Sequence, residues 1–316
     1  MMRVKFGVQT GQGGYDYSTL KRFWVEADRL GYHSAVLYDH FYSMYPPRTK
    51  DNLEAWTTVA ALASETENLR IGHLVLCNSY RHPSLLAKMA STLDVLSEGR
   101  LEFGIGAGWY EEEYRGYGFP FPPASVRIRQ LDESLQIIRK MWTEDRATFR
   151  GKHYTVVDAI CNPKPSQKPY PPILIGGGGE KLTLRVVARH ADIWNFGWNM
   201  DPKAFGERLE LLEAHCDRVD RDPEDIEKSH NKVLFISEDE AEAQRMVRDR
   251  AKRRGIALEE YRRKLEHAAV GTPEACIDNL EMYGDVGVTY FFLTFPNLRD
   301  LEPLRLFARK VMPAFR

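Results

Sequence analysis

Apolar residues recur along this chain in two alternating textures: short unbroken runs, and longer stretches in which they return every third or fourth position. A short unbroken run suits a strand buried on both faces, whereas the three-to-four spacing draws one apolar stripe down a helix. The alternation is clearest over residues 68–109. Positions 71–76 form a run. Leu85, Leu86, Met89, Ala90, Leu93 and Leu96 then mark a helical stripe, and 101–105 form a second run. Pro83 suits the first turn of that helix, where its missing N–H costs nothing, and Gly99 suits its end. Two parallel strands joined by a helix are therefore expected here.

The same texture repeats on either side. Further runs fall at 4–9, 34–38, 173–175, 191–195, 232–236 and 288–295, and helical stripes at 18–30, 53–65, 128–141, 181–189, 203–219 and 301–311. Between the fourth and fifth runs, Phe149, Gly151 and Tyr154 suggest a hairpin, and the prolines at 163, 165, 169, 171 and 172 impose an extended connection. A long charged stretch comes after the seventh run, with helical patterning at 239–254 and 259–267 and a helix start at Thr272, Pro273 and Glu274. Strand and helix alternating through the chain predict a (β/α)8 TIM barrel, one domain over 1–316 with a charged helical insertion at about 238–287.

Charge adds little to this picture. Lys and Arg total 44 against 45 Asp and Glu, so neither nucleic acid nor an anionic membrane is an expected partner. Cys77, Cys161, Cys216 and Cys276 are widely spaced and form no CxxC, which points to reduced thiols in a cytoplasmic protein and to no metal site.

Ligands of parallel barrels bind at the C-terminal ends of the strands, which directs attention to the residues just beyond each run. The second run ends in Asp39 and His40, with the aromatics Phe41, Tyr42 and Tyr45 after them. The fourth ends in Gly104, Gly106 and Gly108 with Trp109 and Tyr110. This fails the GxGxxG dinucleotide pattern, because Trp109 occupies the third glycine position. A planar ring lying on bare backbone and a plain tight turn both fit those glycines. The fifth run ends in Gly176, Gly177, Gly178 and Gly179, with Thr183 one turn further. Lying between strand and helix, this loop suits an anion cradle or a purely structural turn, and no Walker lysine comes after it. Tyr15, Trp194 and Trp198 join Phe41, Trp109 and Tyr110 as candidate cavity aromatics. The basic cluster Arg245, Arg248, Arg250, Lys252, Arg253 and Arg254 reads most simply as a solvated helix face. No HExxH and no serine nucleophile elbow is present.

Three segments carry a family resemblance: DHF at 39–41, YRHPSLLAKMASTLDVLSEGRLEFGIGAGWYEEE at 80–113, and NPKPSQKPYPPILIGGGGEK at 162–181. They resemble the luciferase-like monooxygenase superfamily, in its branch of oxidoreductases that use the deazaflavin coenzyme F420. The resemblance implies hydride transfer between F420 and a small organic substrate, His40 as proton donor or acceptor, and a homodimer. It assigns the cofactor to Asp39, Leu74, Val75, Gly106, Gly108, Trp109, the loop 176–179 and Thr183, with a non-proline cis peptide at Leu74–Val75. It also suggests that part of the basic cluster meets the coenzyme's glutamyl tail. The sugar-phosphate dehydrogenases of that branch carry a glutamate where this chain has Trp109, which favours a more apolar pocket here. An FMN-dependent monooxygenase fed by a reductase, and a non-catalytic flavin-binding homologue, are the alternatives.

Overall fold

A computed structural model describes residues 4–44 and 46–315, which leaves Tyr45 outside the described residues. Eight parallel strands, Lys5–Thr10, Ser34–Leu37, Arg70–His73, Leu101–Gly106, Ile173–Gly176, Ile193–Trp198, Glu227–Ile236 and Tyr290–Thr294, pair in chain order, each with the next. The eighth pairs with the first through Lys5–Tyr290 and Val8–Leu293, closing the barrel. Among the described residues no helix is long and apolar enough to cross a membrane.

Local chemistry sets where the helices begin. Asp16 caps the helix Tyr17–Arg29 by accepting from the Thr19 N–H at 2.7 Å, and Glu54 does the same for Ala55–Ala63 at Thr57. Pro83 opens Pro83–Leu96, as its position predicted. The buried face of that helix differs from the expected stripe. Leu86, Ala87, Ala90, Ser91 and Leu93 are covered, while Leu85 and Leu96 are exposed. Small residues win this face because the long helix Ala124–Thr143 packs closely there, its Trp142 Nε1 donating to the Ala87 carbonyl at 3.0 Å.

Other departures trace to polarity that local pattern does not register. The seventh strand starts at Glu227 rather than 232, because Ser229, His230, Asn231 and Lys232 are buried and polar. The third run breaks after His73 at a cis Leu74–Val75 peptide, and Leu76–Cys77 resumes pairing against Ile105 and Gly106. A short helix, Glu111–Tyr117, succeeds the glycine-rich turn, where the pattern predicted none. The hairpin forms as Ala147–Arg150 against Thr155–Ala159.

Beyond the seventh strand lie the helices Glu240–Arg254 and Leu258–Lys264, the strand Ala269–Gly271 beside the seventh strand, and the helix Pro273–Gly284 capped by Thr272. Val247, Ala251, Tyr261, Leu265 and Ala268 pack on Val233 and Phe235, so this segment has its own small apolar core over one side of the barrel. The N-terminal end of the barrel is closed by an ionic plug. Buried Glu102 accepts from Arg70 Nε at 2.9 Å and from the Tyr290 hydroxyl at 2.8 Å, with His33 Nε2 at 3.2 Å. The C-terminal end remains open to a ligand.

Candidate active site

His40 stands just past the second strand, on a loop held from several sides. Asn52 Nδ2 donates to the His40 carbonyl at 2.6 Å. The His40 ring is edge-on to Tyr38, Trp109 and Tyr110, with centroids 5.4, 5.8 and 5.8 Å away. Its Nδ1 lies 2.8 Å from Glu113 Oε2. The other Glu113 oxygen accepts from the Phe41 and Tyr42 N–H groups at 2.7 and 3.0 Å, and the Tyr80 hydroxyl donates to Oε2 at 3.0 Å. Burial pushes the Glu113 carboxyl up, but the His40 contact, the Tyr42 N–H and the Tyr80 hydroxyl outweigh it and hold the pKa below the usual range. An ionised carboxylate only accepts, so it fixes the proton on Nδ1 and leaves Nε2 as a base for whatever enters the cavity. Two other buried barrel histidines are different in kind. Burial pushes His73, stacked on Trp56, and His230, which meets the Phe196 carbonyl, down to about 4, so both stay neutral within the packing.

Two adjoining cavities meet at Tyr38, His40, Leu74 and Trp109. The smaller, of about 410 Å³, is lined by Asp39, Val75, Gly106, Gly108, Gly176, Gly177 and Thr183 together with those shared residues. Of the predicted cofactor residues only Gly178 and Gly179 fall outside this lining. A side chain on Gly178 would run into the Phe196 ring, 1.9 Å from its Cε2. The Asp39 carboxylate is held by Arg81 through two bonds, at 2.7 and 3.1 Å, and by the Cys77 N–H at 2.9 Å. Val75 explains two of the glycines. A Cβ on Gly106 would come within 2.9 Å of one Val75 methyl, and one on Gly176 within 2.9 Å of both. The bulged valine thus occupies the space that side chains on the fourth and fifth strands would need, leaving a wall of backbone and methyl groups. Trp194, expected in the cavity, is instead fully buried behind it, and its Nε1 donates to the Gly177 carbonyl at 2.8 Å.

The larger cavity, of about 610 Å³, has amide and hydroxyl groups in its floor, Gln9, Asn231 and Thr294, and Tyr15 and Trp198 in its wall. Arg250 and Arg254 line it from the helix Glu240–Arg254, which corrects the reading of the basic cluster as a solvated face: those two turn inward, while Arg245, Arg248, Lys252 and Arg253 are exposed. Phe41 lies in neither lining, because it stacks on Tyr117 and Tyr80 in a separate aromatic cluster.

Sequence reasoning missed Glu113 and Arg127. Glu113 hides in a run of three glutamates, and only the turn of the short helix selects which one faces His40. Arg127 left a fainter mark: it stands four positions before Leu131, on the stripe that the long helix buries. It lines the smaller cavity, donating from Nε to the Gly108 carbonyl at 3.2 Å and lying 4.0 Å over the Phe121 ring.

Comparison with known proteins gives a consistent grouping. The sequence model of luciferase-like monooxygenases matches residues 1–290. An F420-dependent glucose-6-phosphate dehydrogenase of Microbacterium testaceum is 27% identical over 99% of this chain and 98% of its own length. An FMNH(2)-dependent dimethylsulfone monooxygenase of Pseudomonas putida is 29% identical over 61% of this chain and 50% of its own length. Among solved structures, an F420-dependent secondary alcohol dehydrogenase in complex with an F420-acetone adduct superposes with a TM-score of 0.85 at 19% identity, covering 100% of both chains.

Proposed function

Because this chain belongs to the luciferase-like monooxygenase family, we propose that it is an oxidoreductase passing a hydride between coenzyme F420 and a small organic alcohol or carbonyl compound. One observation carries the reading: a histidine with its Nδ1 proton locked by a buried carboxylate stands where a flat, glycine-walled cavity opens into a larger one. The relative spanning nearly the whole chain is named as F420-dependent, which favours the deazaflavin over FMN.

The smaller cavity fits such a coenzyme. The cleared wall at Gly106, Val75 and Gly176 suits a planar ring, and Gly177 with Thr183, at the start of the helix Thr183–His190, suits a phosphate. When bound, the deazaflavin supplies a two-electron hydride donor or acceptor. The chain's own residues do the rest. In the oxidising direction His40 Nε2 takes the alcohol proton as the carbon–oxygen double bond forms, and the resulting imidazolium is stabilised by Glu113 at Nδ1. In the reducing direction the same nitrogen returns that proton to the carbonyl oxygen. Gln9, Asn231 and Thr294 offer hydrogen bonds along the floor, and Trp109 and Trp198 cover apolar parts of the substrate.

Fluorescence titration of the purified protein with oxidised F420 and with FMN tests the cofactor. Tight F420 binding and weak FMN binding is the expected result, and the reverse would redirect the assignment to a flavin-fed oxygenation. His40→Ala is expected to bind F420 as the wild type does and to lose turnover by about a hundredfold or more in a screen of alcohols and ketones monitored by F420 absorbance. Unchanged turnover would remove His40 from the chemistry.

A further inference from the structure

Arg127 carries a charge that the protein itself does not balance. Among the described residues, Lys232 and Arg127 are the two most deeply buried cationic side chains, at 0% and 7% exposure. The half-buried arginine Arg81 is, by contrast, paired with both Asp39 and Glu54. Among the described residues Arg127 has no carboxylate within ion-pair distance: its acceptors are the Gly108 and Pro122 carbonyls, and its plane lies on Phe121. A buried cation without a counter-charge is costly, so a site that keeps one is built to receive an anion.

Position says which anion. Arg127 lines the same cavity as Gly176, Gly177 and Thr183, and Ala124, the first residue of its own helix, lines it too. That twenty-residue helix, Ala124–Thr143, has Pro123 at its N-cap and no side chain capping it, so its uncapped N–H groups and positive dipole end lie at the cavity. The helix Thr183–His190 begins at the same cavity, also without a side-chain cap. Among the described residues the one carboxylate in the lining, Asp39, is neutralised by Arg81. Two uncapped helix starts and an unpaired guanidinium therefore face one space.

We propose that Arg127 is the counter-ion for the phosphate of the bound coenzyme, which it shares with Gly177 and Thr183 of the same cavity. The proposal rests on the deazaflavin reading above and adds that phosphate recognition is shared between two helix starts, with Arg127 supplying the one permanent positive charge among the described residues of that lining. Its free N–H donors suit two phosphate oxygens at once, as a guanidinium fork does.

Matched ligands with and without the phosphate provide the test. The purified wild type, Arg127→Gln and Arg127→Lys are each titrated by fluorescence with F420 and with 8-hydroxy-5-deazariboflavin, which shares the ring and ribityl chain but lacks both the phosphate and the glutamyl tail it carries. FMN and riboflavin, which differ by the phosphate alone, form a second pair and separate the phosphate from the tail. The wild type is expected to favour the phosphorylated member of its cofactor pair. Arg127→Gln is expected to lose about tenfold or more of that preference while keeping its affinity for the phosphate-free ligand, with Arg127→Lys in between. A preference intact in Arg127→Gln overturns the proposal. Equal losses for both members overturn it too, by assigning Arg127 to support of the Gly108 turn or to the ring. A wild type that binds neither F420 nor FMN instead overturns the functional reading, and this proposal with it.

Discussion

Glu113 gathers four donors on one carboxylate: His40 Nδ1, the Phe41 and Tyr42 N–H groups and the Tyr80 hydroxyl. A carboxylate has acceptor sites for all of them, whereas an amide has one accepting oxygen and turns an NH2 group toward some of those donors. Glu113→Gln is therefore expected to destabilise the protein by about 1–3 kcal/mol and to free the His40 tautomer. Turnover should fall by about tenfold or more, with cofactor affinity nearly kept. Chemical denaturation alongside steady-state kinetics checks both, and full activity in this variant would show that His40 needs no orienting partner. His40 was legible in the chain because it comes directly after a strand. Glu113 was not, because Glu111, Glu112 and Glu113 are equivalent as letters and differ only in the direction each takes from the first turn of their helix.

At the level of elements, the wall of the smaller cavity depends on three strands leaving room for one side chain. Val75 projects between Gly106 of the fourth strand and Gly176 of the fifth. Gly106→Ala would bring its methyl within 2.9 Å of Val75 Cγ2, closer than packed carbons tolerate. Overpacking of this kind costs about 1–3 kcal/mol, and F420 binding should weaken with it. Val75→Ala in the same chain is expected to recover much of the loss, since the two groups compete for one space; losses that simply add in thermal unfolding and F420 titration would refute the coupling. The glycines stood out in the sequence, yet spacing alone left a tight turn as a sufficient reason for them. What distinguishes Gly106 and Gly176 from Gly178 is the valine arriving from a third strand, a contact between segments far apart in the chain.

For the whole molecule, the barrel divides into a face that reacts and a face that holds. Glu102 belongs to the second. It is buried at the N-terminal end among Arg70, His33 and Tyr290. Burial raises its pKa, but the bonds and charges from His33 and Arg70 and the Tyr290 hydroxyl outweigh this and leave it below the ordinary value. A lowered carboxylate pKa adds stability that is fully present above the unfolded value, 4.5, and is lost as pH falls through the folded one. Glu102→Gln strands the buried end of Arg70 and should cost about 3–5 kcal/mol at neutral pH. The gap from the wild type should narrow as the pH drops below that range. Substrate and cofactor constants of the folded fraction should stay unchanged. Melting temperatures across pH would check it, and a gap that widens with acid would contradict the sign.

The alternation of apolar runs and stripes was enough to determine the barrel, the order of its strands and the end at which its cavities open, because each strand and helix buries a face set by its own neighbours in sequence. The same local logic placed Asp39, His40 and the glycines at strand ends. Only the tertiary structure decided which of those residues converge, that Leu85 and Leu96 turn outward, that Arg250 and Arg254 turn in, and that Glu113 and Arg127 face the site at all. Charge and orientation across a cavity are set by the distance between elements, and that distance is not written in any local pattern of residues.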